Sequence, residues 1–527
     1  MDAFEQIVSD LKLGPDVVRQ ISLHNDTLYL CNTLRGEEHQ LEISKLLYQA
    51  KKYVRSFKFV SKSEFEDKYK GKHSFKIPAD AADNDIEQYI VNLIKAAFDR
   101  KTTDIHISYM GSFTRIRTRT KGFMWPYEEF DGEIGHRILS HIINGMTGGQ
   151  KTSNLFNLKE MIDARIVLRK FLPESMHSIR VHTQPVQTSS ERDGGTGAFC
   201  ALRLLYDSTK AVGTLAERLT ALGFTPDQCQ TIQELTRRSG ITIVAGPTGS
   251  GKSTLLKHIL ESMIQEMPEK AFFSVEDPPE YPIDGMVQFM VNTNEKDQSY
   301  EADSMAKQFE KAMGGAMRCD PNVLMIGEIR YKEAANFAMH VALSGHAAWA
   351  STHADDGFGI VSRLEEMMRN EQMPQPLKSI CKPGLISGLI ALRLIPKLCP
   401  DCKENYFSLP PEERVKSIPR DCMRRLTDVV DADTLEEDRK LCVRGAGCEK
   451  CDGDGFEGLT VAAEVINVDR DMLALMREGD IEGARKYWIE TKHGKPFMSH
   501  AIDMITAGDV DPYAAELCLG SPLTNLL

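Results

Sequence analysis

The sequence predicts an α/β fold carrying a small cysteine-knuckle module and a helical C-terminal tail, and three observations predict it. β-Branched strand patterns alternate with amphipathic helices from 223 to 396. The run Ile241-Thr242-Ile243-Val244 feeds Gly246-Pro247-Thr248-Gly249-Ser250-Gly251-Lys252-Ser253-Thr254, and Leu255 to Leu260 continue as an apolar-periodic helix. Two Cys-x-x-Cys pairs follow, Cys399/Cys402 and Cys448/Cys451.

A chain of 527 residues is long enough for roughly three or four domains with large cores. Residues 1–80 read as a small mixed docking domain. Ile7, Leu11, Val17, Val18 and Ile21 repeat at helical spacing there, Thr27-Leu28-Tyr29-Leu30 is a strand candidate, and lysine-rich sequence from Lys62 to Lys76 is a linker. A second domain, 81–205, opens with a helix that Asn84 would cap and Glu87 would close as a capping box. Ile86, Ile90, Leu93, Ile94 and Ala97 form its apolar face. Strands follow at Asp104–Ser108 and Thr114–Thr120, the second presenting Arg115, Arg117 and Arg119 on one face. Three arginines cannot be a dry core; they make a solvated face or a subunit or phosphate contact. A linker (206–222), the α/β core (223–396), the cysteine module (397–466) and a helical C-terminal region (467–527) complete the division. In the last, Met472, Leu473, Leu475 and Met476 form an apolar face.

Strand, glycine loop and helix together turn a string match into a mechanism. Glycines let backbone N–H groups converge on phosphate oxygens, and the following helix adds the field of its positive end. Lys252 would reach the outer phosphates and the Ser253 hydroxyl would ligate Mg²⁺. The chain therefore reads as a nucleoside triphosphate binder. A triphosphatase further needs carboxylates for the metal and the water, and cations for the charge of the transition state. Phe272-Phe273-Ser274-Val275-Glu276-Asp277 and Val323-Leu324-Met325-Ile326-Gly327-Glu328 are apolar strands ending in acids, which puts carboxylates at the mouth of the sheet. Ser344-Gly345-His346 and Ser351-Thr352-His353 add two histidines seven residues apart.

The cysteine pairs fit a closed tetrahedral Zn²⁺ site, in which the metal contributes folding energy and no chemistry. A redox dithiol or isolated buried thiols are the alternatives. Twelve cysteines without a leading basic-then-apolar segment argue for thiols or metal in a cytoplasmic protein, not for a disulfide framework. No apolar run approaches the ~20 residues needed to span a bilayer, so membrane attachment is expected through partners. A net charge of −12 disfavours non-specific nucleic-acid binding.

Glu276-Asp277-Pro278, Gly327-Glu328-Ile329-Arg330, and Ser344-Gly345-His346 with Ser351-Thr352-His353 resemble the Asp box, Walker B and His box of the type II secretion and type IV pilus ATPase superfamily. The resemblance runs from about Asp104 to the C-terminus. It implies a RecA-like P-loop core, a PAS-like α+β N-terminal domain and a homohexameric ring docked on an inner-membrane platform protein. It also implies ATP, Mg²⁺ and Zn²⁺ as the bound groups. Glu328 would hold Mg²⁺ and Glu276 would polarise the attacking water, although these two roles are exchangeable at this stage. His353 would sense the γ-phosphate. Arg180 and Arg203 resemble arginine fingers reaching a neighbouring subunit's ATP, with Arg192 competing for the second place. Gly453 to Gly458 and Ala463-Glu464-Val465-Ile466 resemble the tail of the family's tetracysteine module, which marks assembly and secretion members against retraction members. The expected function is ATP-driven type IV pilus assembly, with type II secretion as the alternative. Departures are Lys121-Gly122 and Asp163-Ala164-Arg165 where Asp-Gly is usual, and Asp355-Asp356 for Asn-Asp. A nucleic-acid translocase and a non-hydrolysing nucleotide-gated scaffold are the rivals from other classes.

Overall fold

The computed structural model describes residues 21–24, 27–32, 56–61, 83–148, 155–190, 192–206, 213–291, 302–370, 373–430 and 440–524. The helix expected from Ile7 to Val18 and the linker from 62 to 76 lie outside them. The chain folds as two compact units. Unit 1 comprises Met1–Ser208, Pro396–Ser417 and Leu441–Gly458, and unit 2 comprises Thr209–Ile395, Ile418–Lys440 and Leu459–Leu527.

In unit 1, β1 (Ile21–His24) pairs antiparallel with β2 (Thr27–Cys31), which pairs parallel with β3 (Ser56–Val60). Ile21 is thus a strand residue opposite Leu30, not the end of a helix. Its spacing from Val17 fits a helical period, but its β-branched side chain is buried in the sheet. The helix Asp83–Asp99 buries the expected face of Ile86, Ile90, Leu93, Ile94 and Ala97. It begins before Asn84, so Glu87 closes no capping box; its carboxylate lies 3.3 Å from His141 Nε2 and 3.8 Å from Lys170 Nζ.

That helix and Gly132–His141 cover one face of a six-stranded sheet. Its strands are β4 (Thr102–Tyr109), β5 (Phe113–Thr120), β6 (Phe123–Asp131), β7 (Ile162–Ile166), β8 (Met176–Gln187) and β9 (Thr196–Tyr206). Their spatial order is β6-β5-β4-β9-β8-β7, antiparallel throughout. Alternation along β5 buries Thr114, Ile116 and Thr118 and turns Arg115, Arg117 and Arg119 to the other face. Arg115 pairs with Glu129 at 3.2 Å and Arg119 with Asp104 at 3.6 Å, as a solvated face allows.

Unit 2 is built on β10 (Gly240–Ala245), β11 (Phe272–Glu276), β12 (Val287–Met290), β13 (Val323–Ile326), β14 (Ala347–Thr352) and β15 (Ile386–Leu398). With a later strand they form one sheet ordered β12-β11-β13-β14-β10-β15-β18, parallel from β12 to β15. β16 (Glu404–Asn405) and β17 (Cys442–Val443) make a short ladder, and β18 is Phe456–Asn467. Every residue of β10 is buried. Ile241 and Ile243 join a core with the helices Ala302–Ala316 and Lys332–Leu343, while Val244 joins the opposite core with Leu215–Leu222 and Lys252–Glu266. Each fully buried Ile or Val there contributes roughly 1.5–3 kcal/mol of transfer free energy.

Within the stretch expected as a cysteine module, residues 396–417 and 441–458 group with unit 1 and the remainder with unit 2. The helix Arg420–Val429 explains the division: Arg425 donates to both carboxylate oxygens of Glu516, at 2.7 and 2.6 Å, on the C-terminal helix Pro512–Leu519.

Candidate functional site

Parallel strands deliver their C-terminal ends to one edge of the sheet, and the turns after β10, β11, β13 and β14 meet there. After β10, the loop Gly246–Gly251 leads into the helix Lys252–Glu266. All three of its glycines have positive φ. Gly251, the residue before the helix, has φ +92°; at Gly246 (φ +151°) a Cβ would come within 2.4 Å of Ser250 Oγ and 2.5 Å of the Leu392 carbonyl. The buried Ser250 hydroxyl has no hydrogen-bond partner among the described residues. Lys252 is 9% exposed and donates to the carbonyls of Gly246 (2.7 Å) and Pro247 (3.1 Å). Burial pulls its pKa down to about 8, against the opposing pull of Glu328 and Glu280. A triphosphate's outer oxygens would compete with these carbonyls for the ammonium. Ser253 and Thr254 lie in the helix's first turn.

Glu276 ends β11, where its carboxylate accepts from Ser274 Oγ at 2.6 Å and Gln288 Nε2 at 2.8 Å. Burial raises its pKa despite those two hydrogen bonds. The neighbouring strand β13 ends at Ile326, and Gly327 makes room: a Cβ there would stand 3.1 Å from Glu276 Cγ. Glu328 faces Arg330 at 2.7 Å and His353 Nε2 at 3.1 Å. Burial opposes its ionisation, yet the hydrogen bond and charge of Arg330, with His353 and Lys252, hold its carboxyl below the usual range. His353, just past β14, presents Nδ1 to the Gly246 carbonyl at 3.1 Å. One histidine thus ties the P-loop to Glu328.

The structure brings together the P-loop, Lys252, Glu328 and His353, with Glu276 on the adjoining strand. It separates His346 from them. His346 precedes β14, with its carbonyl accepting from Gly240 N at 3.2 Å, on the order of 20 Å from His353 by strand rise. Arg180 and Arg203 stand opposite each other on β8 and β9 of unit 1. Arg180 is exposed with no partner among the described residues, whereas Arg203 Nε donates to Asp104 Oδ1 at 3.0 Å. Arg192 opens a short 3-10 turn, and its side chain is outside the described set.

Residues that sequence reasoning passed over hold the loop after His353. Arg393 donates to the Asp355 carbonyl at 2.8 Å. Asp356 accepts from Gly359 N (2.7 Å), the first residue of the next helix, and pairs with Arg485 at 2.5 Å. Arg485 also faces Glu464 at 3.8 Å, and Glu464 accepts from Gly357 N at 2.7 Å. Arg485 is 8% and Glu464 1% exposed at the side chain, so this pair is buried, with Asp356 at its edge 27% exposed. Nothing local announces Arg485, which lies on the far helix Ile481–Lys492. Arg485→Met leaves the buried Glu464 carboxylate without its cation and is expected to cost about 3–5 kcal/mol in a denaturant titration; a loss below ~1 kcal/mol would contradict the importance of the pair.

In unit 1, the sulfurs of Cys399, Cys402, Cys448 and Cys451 all lie within 4.8 Å of one another. Cys399–Cys448, Cys402–Cys451 and Cys448–Cys451 are each 3.7 Å apart. A tetrahedron with Zn–S bonds of about 2.3 Å has edges of about 3.8 Å, so the donor set fits zinc. All four cysteines are free of disulfides.

Comparisons with known proteins agree with this geometry. A family model described as "Type II/IV secretion system protein" matches residues 79–516. The putative type II secretion system protein E of Escherichia coli K12 is 27% identical, over 82% of this chain and 77% of its own. The type II secretion system ATPase E of Vibrio cholerae is 28% identical, over 74% and 67%. The type IV pilus assembly ATPase PilB of Thermus thermophilus is 27% identical over 75% of this chain but only 38% of its own. Among solved structures, the ATPase DotB of Legionella pneumophila superposes with a TM-score of 0.54 at 16% identity, covering 82% of this chain and 96% of that one. DotB of Yersinia pseudotuberculosis gives 0.53 at 18% identity, covering 84% and 94%. The fold is a RecA-like P-loop core with a PAS-like α+β N-terminal domain.

Proposed function

We propose, from the premise that this chain belongs to the type II/IV secretion system protein family, that it is a hexameric cytoplasmic motor driving type IV pilus assembly at the inner membrane. It is an ATP-hydrolysing enzyme of the extension and secretion kind. The observation that carries the reading is the meeting of Lys252, Glu328 and His353 around the Gly246 loop, with Glu276 buried alongside.

Backbone amides of Gly249, Ser250 and Gly251 and the Lys252 ammonium would bind the phosphates. Ser253 and Glu328 would hold Mg²⁺, which supplies charge neutralisation at the phosphoryl group. The two glutamates differ in a way that supports these roles. Glu328, held ionised by its cationic neighbours, suits a cation; Glu276, its pKa raised by burial, suits a group that accepts water's proton. Arg180 and Arg203 would stabilise transition-state charge at a neighbouring subunit's ATP, which requires a closed ring. Cys399, Cys402, Cys448 and Cys451 would hold one Zn²⁺ as a structural site.

Glu276→Gln is expected to lower turnover about 10²–10⁴-fold while ATP still binds. In the wild type the rate should rise with pH through the raised pKa of Glu276, and that acid limb should vanish in the variant. A steady-state pH profile of both proteins decides it. An unchanged limb would reassign the base.

Type II secretion is the second reading, favoured by the type II ATPases among the relatives at equal identity. Among the described residues no helix is long and apolar enough to cross a membrane, so work would pass through a platform protein. Introducing Lys252→Ala into cells that make the protein separates the two. Loss of surface filaments with export intact supports pilus assembly; retained exoproteins with filaments intact support secretion.

A further inference from the structure

Lys121 stands at the tip of the β5–β6 hairpin with φ +51°, followed by Gly122 at φ +88°. Two left-handed residues make a tight hairpin turn, and lysine is an unfavourable choice for the first of them. Its side chain accounts for its presence. Nζ donates to the Cys451 carbonyl at 3.1 Å and the Phe456 carbonyl at 2.6 Å, and pairs with Asp454 Oδ2 at 3.5 Å. Asp454 is buried and also takes Arg100 at 3.4 Å. The ammonium is thus spent on one segment, Cys451 to Phe456, within unit 1.

That segment begins with a candidate metal ligand and is shaped by the knuckle. Gly455 N donates to Cys451 Sγ at 3.2 Å, and the Gly455 carbonyl accepts from Cys399 N at 3.0 Å. Aromatic packing repeats the attachment. Phe123, on β6, stacks on Phe456 with centroids 5.5 Å apart, and Arg444 lies 5.4 Å from the Trp125 ring and 5.3 Å from that of Phe456. The other end of the connection is the arginine row. Arg119 lies two residues before Lys121 and opposite Asp104; Asp104 lies opposite Arg203, Arg203 opposite Arg180, and Arg180 opposite Arg165. Directly opposed residues share a face, so five neighbouring strands present Arg165, Arg180, Arg203, Asp104 and Arg119 in one line.

We propose that Lys121 is a positioning residue that couples the tetracysteine knuckle to this arginine row. Ligation of the four thiolates orders Cys451 to Phe456, that segment fixes Lys121, and Lys121 fixes the end of the hairpin that carries Arg119, opposite which Asp104 and then Arg203 are aligned on the neighbouring strands. The inference rests on the zinc reading above and extends it: the metal orders the arginine-bearing sheet as well as its own loop.

The test is hydrogen exchange on the full-length protein, following amides of 113–131, before and after metal removal with a chelator and after zinc is returned. Metal content is measured in parallel, and amides of 240–266 serve as the internal control. Wild-type hairpin amides are expected to exchange about tenfold faster once the metal leaves and to recover with zinc. Lys121→Met, and independently Asp454→Asn, should exchange fast with the metal still bound. Metal loss that leaves wild-type hairpin exchange unchanged overturns this inference alone. Purified protein with no bound metal and no uptake of zinc overturns the zinc reading and this inference with it.

Discussion

Replacing Lys252 with alanine is expected to reduce ATP turnover by about 10²–10³-fold or more, because it removes the buried ammonium of the P-loop. The helix it starts should survive, since Leu255, Leu256, Ile259 and Leu260 anchor it in the core. Thermal melting should therefore change little while nucleotide affinity falls. The wild-type protein supplies a second signature. Burial lowers the Lys252 pKa to about 8, so the free enzyme carries the charged ammonium below that pH and loses it above. ATP affinity should be flat on the acidic side and decline as pH rises through 8, and this decline should be absent in Lys252→Ala. Full turnover in the variant would remove the P-loop reading altogether. ATP binding by the wild type without hydrolysis would instead favour a nucleotide-gated scaffold.

Arg180→Ala is expected to lower turnover about 10³-fold in assembled protein, the scale of an arginine finger, with nucleotide binding retained. Arg180 is exposed and carries no partner among the described residues, so its loss breaks no bond to any of them. Arg203→Ala should behave differently. It takes from Asp104 its closest cation, leaving Arg119 at 3.6 Å and the Thr103 hydroxyl at 2.9 Å, so a loss of stability should accompany the loss of rate. Lysine at 180 should not rescue, because a guanidinium fork contacts phosphate oxygens in a way an ammonium cannot. Mixing is the decisive form of the experiment. Lys252→Ala and Arg180→Ala are each expected to be nearly inactive alone; co-assembled, a subunit with an intact P-loop would receive an intact arginine from its neighbour. Recovered turnover in the mixture supports action between subunits, and its absence with confirmed co-assembly contradicts it.

The parts legible in the sequence were those fixed by local period and backbone need. The helix face from Ile86 to Ala97, the loop from Gly246 to Lys252, the acid ending β11 and the one just past β13 follow from spacings of 3.6 or 2 residues and from glycines where φ is positive. What was not legible depended on partners far away in the chain. Ile21 fits a helical repeat until Leu30 is seen opposite it. His346 and His353 look alike at a spacing of seven, yet a six-residue strand carries them to opposite ends of the sheet. Lys121 reads as a departure from an Asp-Gly turn, and only the carbonyls of Cys451 and Phe456, more than 300 residues later, account for it. Arg485 and Glu464 are ordinary charges in sequence and a buried pair beside Asp356 in space.

The most direct test of the account is ATP turnover measured across fractions of known oligomeric mass, with Lys252→Ala fractionated alongside. Turnover is expected only in a six-subunit species and should be lost in the variant at the same mass. Full turnover in a monomer would contradict it, because a single chain would then need no arginine from a neighbour.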